Sequence, residues 1–289
     1  MKNGGTYLIL TPMRNERATI DTTIESVCRQ TVRPDIWFIL ADGATDGSRD
    51  RVLESARRHS WIRLVELPDR GFDLVGQGVA EVLNHGLQLI RDIPSDYVAK
   101  IDADLDLPAD YFERLLAFME RERSVGVCSG HPYVYENGRR MLERHASHFP
   151  SGTARLYRRR VLDETGPFVT SVGWDTVDLL RIRMRGSTTK VLHDLPFHHM
   201  RRMGTRLGYL EGMLRDGRNA YLTGYTPVFL TLRALYNARY FPYVVRSACM
   251  LVGYAAACLR RSPRVVTAEE RAFHRHLQRQ RLRLHRLDG

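Results

Sequence analysis

The sequence predicts an α/β fold: a mostly parallel sheet flanked by helices, with an α-helical C-terminal extension. Three observations carry this. Strand-length and helix-length apolar patterns alternate over the first 121 residues, the order that builds a parallel sheet. Three strand ends carry polar clusters, Thr11–Glu16, Asp42–Ser48 and Asp102–Asp106, where ligands of such sheets bind. From Leu207 the chain changes to helix-length, apolar-faced segments studded with Arg.

The elements follow in order. Thr6–Leu10 reads as a strand; Tyr7–Leu10 is only strand length, so no signal peptide is expected. Ala18–Arg29 is an amphipathic helix with Ile20, Ile24 and Val27 on one face. Ile36–Leu40 is the second strand, Arg49–His59 a helix and Ile62–Leu67 the third strand. Val79–Arg91 is a helix with Val82, Leu83, Leu87 and Ile90 apolar. Tyr97–Ile101 is the fourth strand, and Tyr111–Arg121 a helix. The second half is less regular. Val125–Ser129, Gly152–Arg160 and Thr189–Leu192 read as strands, and Thr176–Arg185 as a helix stopped by Gly186. Leu207–Leu222, Pro227–Arg239, Tyr243–Arg260 and Ala268–Leu287 are helical. The longest uncharged run, Ser247–Leu259, has thirteen residues, against about twenty for a membrane span. It suits a core helix or one lying in a membrane interface.

Charge is divided unevenly. Residues 1–200 carry 27 Lys and Arg against 28 Asp and Glu, whereas residues 201–289 carry 17 Arg, no Lys and 5 acids. A basic tail of this kind meets nucleic acid, an anionic membrane face or a phosphate-rich substrate. Nucleic acid is disfavoured, because aromatics should interleave with the arginines and only Phe273 follows Tyr254. The four cysteines (28, 128, 249, 258) form no CxxC pair. That excludes a zinc knuckle and a disulfide framework, and suits a reducing cytosol.

Asp102-Ala103-Asp104 holds most of the chemistry. Two carboxylates two residues apart at a strand end point the same way and repel unless a cation neutralises them. Mg²⁺ and Mn²⁺ favour one or two carboxylates together with diphosphate oxygens. An EF-hand loop over Asp102–Glu113 is disfavoured, because Leu107 stands where the loop needs Gly. Asp106 and Asp110 read as caps of the following helix. Gly76-Gln77-Gly78 lacks the third glycine of a dinucleotide fingerprint. His131, His145 and His148 read as surface or core residues, and Arg158–Arg160 as a solvated strand edge.

Taken together, "TPMRNERATIDTTIESVCRQT", "WFILADGATDGS", "VAKIDADLDLP", "SGTARLYRRRVLDETGPF", "GWDTVDLLRIRMRG" and "HHMRRMG" resemble the family 2 glycosyltransferases of GT-A fold, in that family's order over roughly residues 5–205. The resemblance implies a GT-A, Rossmann-like catalytic domain over 1–205. Residues 206–289 then form a basic amphipathic helical region suited to membrane or acceptor docking. It places Thr11, Pro12, Arg14 and Glu16 in the nucleotide loop and Asp42 at the base. Asp102 falls near the ribose, and Lys100 is a further candidate for the nucleotide-sugar site. Asp104 and His199 become ligands of a divalent metal, Mn²⁺ or Mg²⁺, with His198 the alternative, and Asp175 becomes the catalytic base. Two positions depart from the family: Ala41 precedes Asp42 where Asp is usual, and Trp174 precedes Asp175 where Glu is usual. Asp178 is a rival base, although its place one turn into the helix suits a surface charge. The QxxRW signature of processive synthases is missing. The implied activity is metal-dependent, inverting, single-sugar transfer from a nucleoside-diphosphate sugar to a saccharide or lipid-linked saccharide in surface-polysaccharide synthesis. The implied location is the cytoplasm, against the inner face of the cell membrane. A sugar nucleotidyltransferase is the rival enzyme, but Thr11–Arg17 lacks the Gly-rich loop it would need.

Overall fold

The computed structural model describes residues 5–71, 76–136, 138–143, 147–201, 209–239 and 244–283; His145 lies outside them. The strands are β1 (Tyr7–Met13), β2 (Ile36–Asp42), β3 (Ile62–Leu67), β4 (Tyr97–Ile101), β5 (Leu105–Asp106), β6 (Val125–Glu136), β7 (Arg139–Leu142), β8 (Ala154–Arg158) and β9 (Thr188–His199). The helices are α1 (Ile20–Cys28), α2 (Ser48–Arg58), α3 (Gln77–Leu89), α4 (Tyr111–Arg121), α5 (Arg159–Thr165), α6 (Trp174–Met184), α7 (Tyr209–Leu222), α8 (Pro227–Asn237), α9 (Val244–Leu259) and α10 (Ala268–Arg283).

One sheet runs β3-β2-β1-β4-β8-β6-β9-β5, with β7 paired to β6. Its first four strands are parallel. β8 then enters antiparallel between β4 and β6, and β9 lies parallel to β6. Period-two alternation divides the core in two. Tyr7, Ile9 and Met13 of β1 face a layer holding residues of α1 and α4, while Leu8 and Leu10 face one holding residues of α3, α5 and α6.

The second half departs from the sequence expectation. β9 is twelve residues long, three times the Thr189–Leu192 segment. Pro196 lies inside it, next to a register irregularity of its partner β6, where a missing N–H is tolerated. The strand at β8 stops at Arg158, and Arg159 opens α5. Arg158 and Arg159 are not a solvated edge, whereas Arg160 is exposed. Arg158 donates to the Met119 carbonyl at 2.7 Å, and Arg159 donates to the carbonyls of Arg91 and Ile93 at 2.9 and 3.0 Å. Nor do Asp106 and Asp110 cap α4 with their side chains. Asp106 pairs with Arg29, and Asp110 occupies the cap position without a side-chain hydrogen bond.

The C-terminal helices have a core of their own, built around Tyr221, Tyr225, Phe229, Met250 and Tyr254. α7 and α9 cross with their backbones touching. A Cβ at Gly217 would fall 1.9 Å from the Met250 carbonyl oxygen, and one at Gly253 would fall 2.0 Å from that of Leu214. Backbone cannot give way as a side-chain end can. Gly217→Ala is therefore expected to cost about 1–3 kcal/mol by overpacking, read from a urea midpoint; an unchanged midpoint would mean that the helices part freely. α7 also abuts the start of α6, since a Cβ at Gly173 would lie 3.1 Å from Asn219 and Thr223 side-chain atoms.

Candidate active site

The polar residues gather at the carboxyl ends of β1, β2 and β4, with β8 and β9 closing the far side. At the end of β2, Asp42 is fully buried. Its two oxygens accept from Arg70 Nε and Nη2 at 2.9 and 2.8 Å, a bidentate geometry that suits guanidinium and carboxylate. Arg14 donates from Nη1 to the Asp42 carbonyl at 2.7 Å and to Asp69 at 2.8 Å. Asp42 thus stands in an ionic cluster with Arg14, Arg70, Asp69 and Glu81. Pro12 is buried in β1. The buried Thr11 hydroxyl accepts from Trp37 Nε1 at 2.8 Å. In this arrangement its side chain is engaged inside the fold rather than turned to the crevice.

The second group forms at the end of β4. Asp104 and His199 come together because β5 pairs with the last residues of β9. Asp104 Oδ2 lies 3.6 Å from His199 Nε2 and 3.0 Å from Arg201 Nε. Arg201 also pairs with Glu16 from the β1 loop, so one guanidinium spans the two carboxylates. Glu143 stands 3.5 Å behind His199, at Nδ1. Burial would lower the His199 pKa, but the Asp104 and Glu143 carboxylates hold its proton and push it up to about 10. Burial would raise Asp104, yet His199 and Arg201 bring it below the ordinary carboxylate range. Asp102 is raised by desolvation and by Asp104, against the pull of Lys100. His198 points elsewhere, stacked on Tyr133 with centroids 5.3 Å apart, so it is not the partner of Asp104.

The third group carries Asp175 in the first turn of α6. Its carboxylate lies against Gly152, where a Cβ would sit 3.3 Å from Oδ2. The Gly152 carbonyl accepts from Lys100 Nζ at 2.5 Å, and Lys100 pairs with Asp102. Lys100 is buried, so it works as the internal counter-charge of Asp102. A continuous chain of contacts thus runs from Asp102 through Lys100 and Gly152 to Asp175.

Asp178 is no surface charge. Its side chain is 3% exposed, and it accepts from Arg155 Nη1 at 3.0 Å and from the Tyr157 hydroxyl at 2.7 Å. Arg155, fully buried, also donates to the Pro150 carbonyl at 2.9 Å and the Asp175 carbonyl at 3.2 Å. Arg155 therefore fixes the backbone that presents Asp175.

Among the described residues no group of three or more His, Cys, Asp or Glu is arranged to hold a metal ion. A carboxylate and an imidazole 3.6 Å apart, with a second carboxylate behind the ring, still suit Mn²⁺ or Mg²⁺, provided that metal binding displaces the proton His199 otherwise holds. Such ions take few protein ligands and complete their shell with phosphate oxygens and water. Sequence reasoning missed Arg70, Glu143, Arg155 and Arg201. Arg155 and Arg201 had a visible signal, each lying inside a stretch that resembles the family, whereas Arg70 and Glu143 had none.

Residues 8–174 match the model of "Glycosyl transferase family 2", and the chain belongs to that family. Among curated proteins, EpsH of Bacillus subtilis (strain 168), named as a glycosyltransferase, is 26% identical over 133 residues, covering 46% of this chain and 36% of its own. TuaG of the same organism, named as a teichuronic acid biosynthesis glycosyltransferase, is 27% identical over 130 residues, covering 45% and 48%. The matches therefore span about a third to a half of these relatives. The solved mannosyltransferase PcManGT of Pyrobaculum calidifontis, in complex with GDP-Man and Mn²⁺, superposes with a TM-score of 0.59 at 16% identity. That superposition covers 97% of this chain and 81% of that one. The fold is of the GT-A type.

Proposed function

We propose that the chain is a metal-dependent, inverting glycosyltransferase. It moves one sugar from a nucleoside-diphosphate sugar to a hydroxyl of a saccharide or lipid-linked saccharide in surface-polysaccharide synthesis, at the cytoplasmic face of the membrane. Family membership and the name of EpsH support the class, and the name of TuaG supports the pathway. The observation that carries the chemistry is the contact chain Asp102–Lys100–Gly152–Asp175. Asp175 is here the base and the Asp102–Asp104 end of β4 holds the diphosphate, and the contact chain supports their being neighbours.

In this reading Asp175 accepts the proton of the acceptor hydroxyl as that oxygen attacks the anomeric carbon. Asp104 and His199 would hold the divalent ion, which neutralises charge developing on the nucleoside-diphosphate leaving group. Arg201 adds a cation beside the same carboxylate. Arg14, Asp42 and Arg70 form the wall at the β1 and β2 ends, where the nucleotide loop lies. No helix among the described residues is long and apolar enough to cross a membrane. Membrane contact in this reading is peripheral.

Calorimetry with UDP, GDP, dTDP and CDP, each with Mn²⁺, Mg²⁺ or EDTA, tests the donor site. One nucleotide should bind in a metal-dependent way, and Asp104→Ala should weaken it at least tenfold, about 1.4 kcal/mol. Binding that ignores both EDTA and the substitution would overturn the metal assignment.

A further inference from the structure

The α8–α9 surface combines two properties that a solvent-facing surface seldom needs together. On α8, Val228, Leu232 and Leu235 are exposed; on α9, Val244, Val245, Leu251, Val252 and Leu259 are exposed, Leu259 at 85%. Each set follows helical spacing on one face, while the opposite face is buried through Phe229, Leu230 and Ala234 on α8 and Ser247, Met250, Gly253, Tyr254 and Ala257 on α9. The two helices lie together, with the Ser247 hydroxyl donating to the Ala234 carbonyl at 2.7 Å. The charge is one-sided. Residues 217–268 contain seven Arg and not one Asp, Glu or Lys. Arg239, Arg260 and Arg261 are exposed at the ends of these helices, and Arg246, also exposed, pairs with Asp216 of α7 at 3.3 Å.

We infer that the outer face of α8 and α9 is the docking surface for an anionic lipid bilayer. The Val and Leu side chains enter the headgroup–acyl boundary, and the arginines at the helix ends meet lipid phosphates. Apolar area alone would suit a second copy of the chain equally well. The lack of acidic residues on α8 and α9 does not, because it sets arginine against arginine across a two-fold interface; the acidic neighbour of Arg246, Asp216, belongs to α7. The glycine contact of α7 with α9, and the seat of α7 against Gly173, connect this face to the first turn of α6 through packed backbone. A bilayer held by α9 is thereby set in fixed relation to Asp175. This refines the peripheral contact proposed above. Its test needs no turnover, so it can fail while the donor and base assignments stand, and the reverse.

The experiment is flotation of the full chain with vesicles of phosphatidylcholine alone and of phosphatidylcholine mixed equally with phosphatidylglycerol. Binding should appear with the anionic vesicles and weaken with added salt. Arg239→Gln with Arg260→Gln and Arg261→Gln should lower partitioning about fivefold for each charge removed. Leu235→Glu with Val252→Glu should lower it more than tenfold. Circular dichroism and nucleotide binding, both expected to be unchanged, show that the variants fold. Wild type that stays unbound on anionic vesicles, or both variants floating like wild type, would overturn the inference. Sedimentation as a dimer that Leu235→Glu with Val252→Glu dissolves, without vesicle binding, would assign the face to a second copy instead.

Discussion

Asp175→Asn is expected to lower turnover by roughly 10²–10⁴-fold, the usual worth of a positioned general base, with nucleotide affinity unchanged. The amide keeps the size of the side chain, its place against Gly152 and the start of α6, but it cannot take the hydroxyl proton. Asp178→Asn is the informative control. Asp178 is buried and engaged by Arg155 and Tyr157, so it cannot reach an acceptor, and its variant should keep most of the turnover. Initial rates at saturating donor decide the matter. Near-normal turnover in Asp175→Asn would remove it as the base.

Arg155→Met is expected to destabilise the fold by about 3–5 kcal/mol, the cost of stranding one partner of a buried ion pair. Arg155 ties together the Pro150 carbonyl, the Asp175 carbonyl and the Asp178 carboxylate. Its loss leaves Asp178 with the Tyr157 hydroxyl alone. A urea titration of wild type and variant measures the cost; a shift below about 1 kcal/mol would mean that the pair is dispensable. The pH dependence follows from the same network. Burial pushes Asp178 up to about 6, against the opposing pull of Arg155 and Tyr157. Between the unfolded value of about 3.9 and that of the folded state, the native protein holds a proton that the unfolded chain has released. The Asp178 contribution is thus fully present below about pH 4 and is lost as pH rises through about 6. Asp178→Asn should flatten that part of the stability profile.

Much of the parallel half and several residues of the site could be read from local pattern. Asp102, Asp104 and Asp42 follow short apolar strands, so their position at the crevice is fixed by where each strand ends. Asp175 emerged only because its surroundings resembled a known motif. Its proximity to Gly152 depends on the docking of β8, which no local pattern announces. The same holds for Arg70 on Asp42 and Arg201 on Asp104, 28 and 97 residues apart in sequence. A basic residue in a loop looks the same whether it is solvated or paired. Asp178 was misread because an amphipathic pattern presumes one wet face. α6 is covered twice, by the sheet layer and by α10, where Arg181 pairs with Glu270 at 2.7 Å. β9 runs past Leu192 because pairing with β6 and β5, which no local pattern announces, carries it through the polar His193 and Asp194. The helices after 206 appeared at nearly their observed bounds, since apolar spacing and helix ends are local signals.

The order of strands in the sheet also governs how the protein reaches this state. β8 pairs with β4 although just over fifty residues separate Ile101 from its partner Ala154. β9 reaches β5 across more than ninety, from Leu105 to His199. Contacts so distant along the chain form slowly, because loop closure precedes the reward of pairing. On the ribosome, β1 to β4 can collapse while His199 and Arg201 are still unmade, and Asp104 then stands beside Asp102 without its cationic partners, while Asp102 already has Lys100. The α7–α10 unit, built from neighbouring helices, can fold quickly once synthesised. Nucleotide-binding competence should therefore be the last property acquired in refolding, appearing with β9 rather than with the bulk of the helical signal.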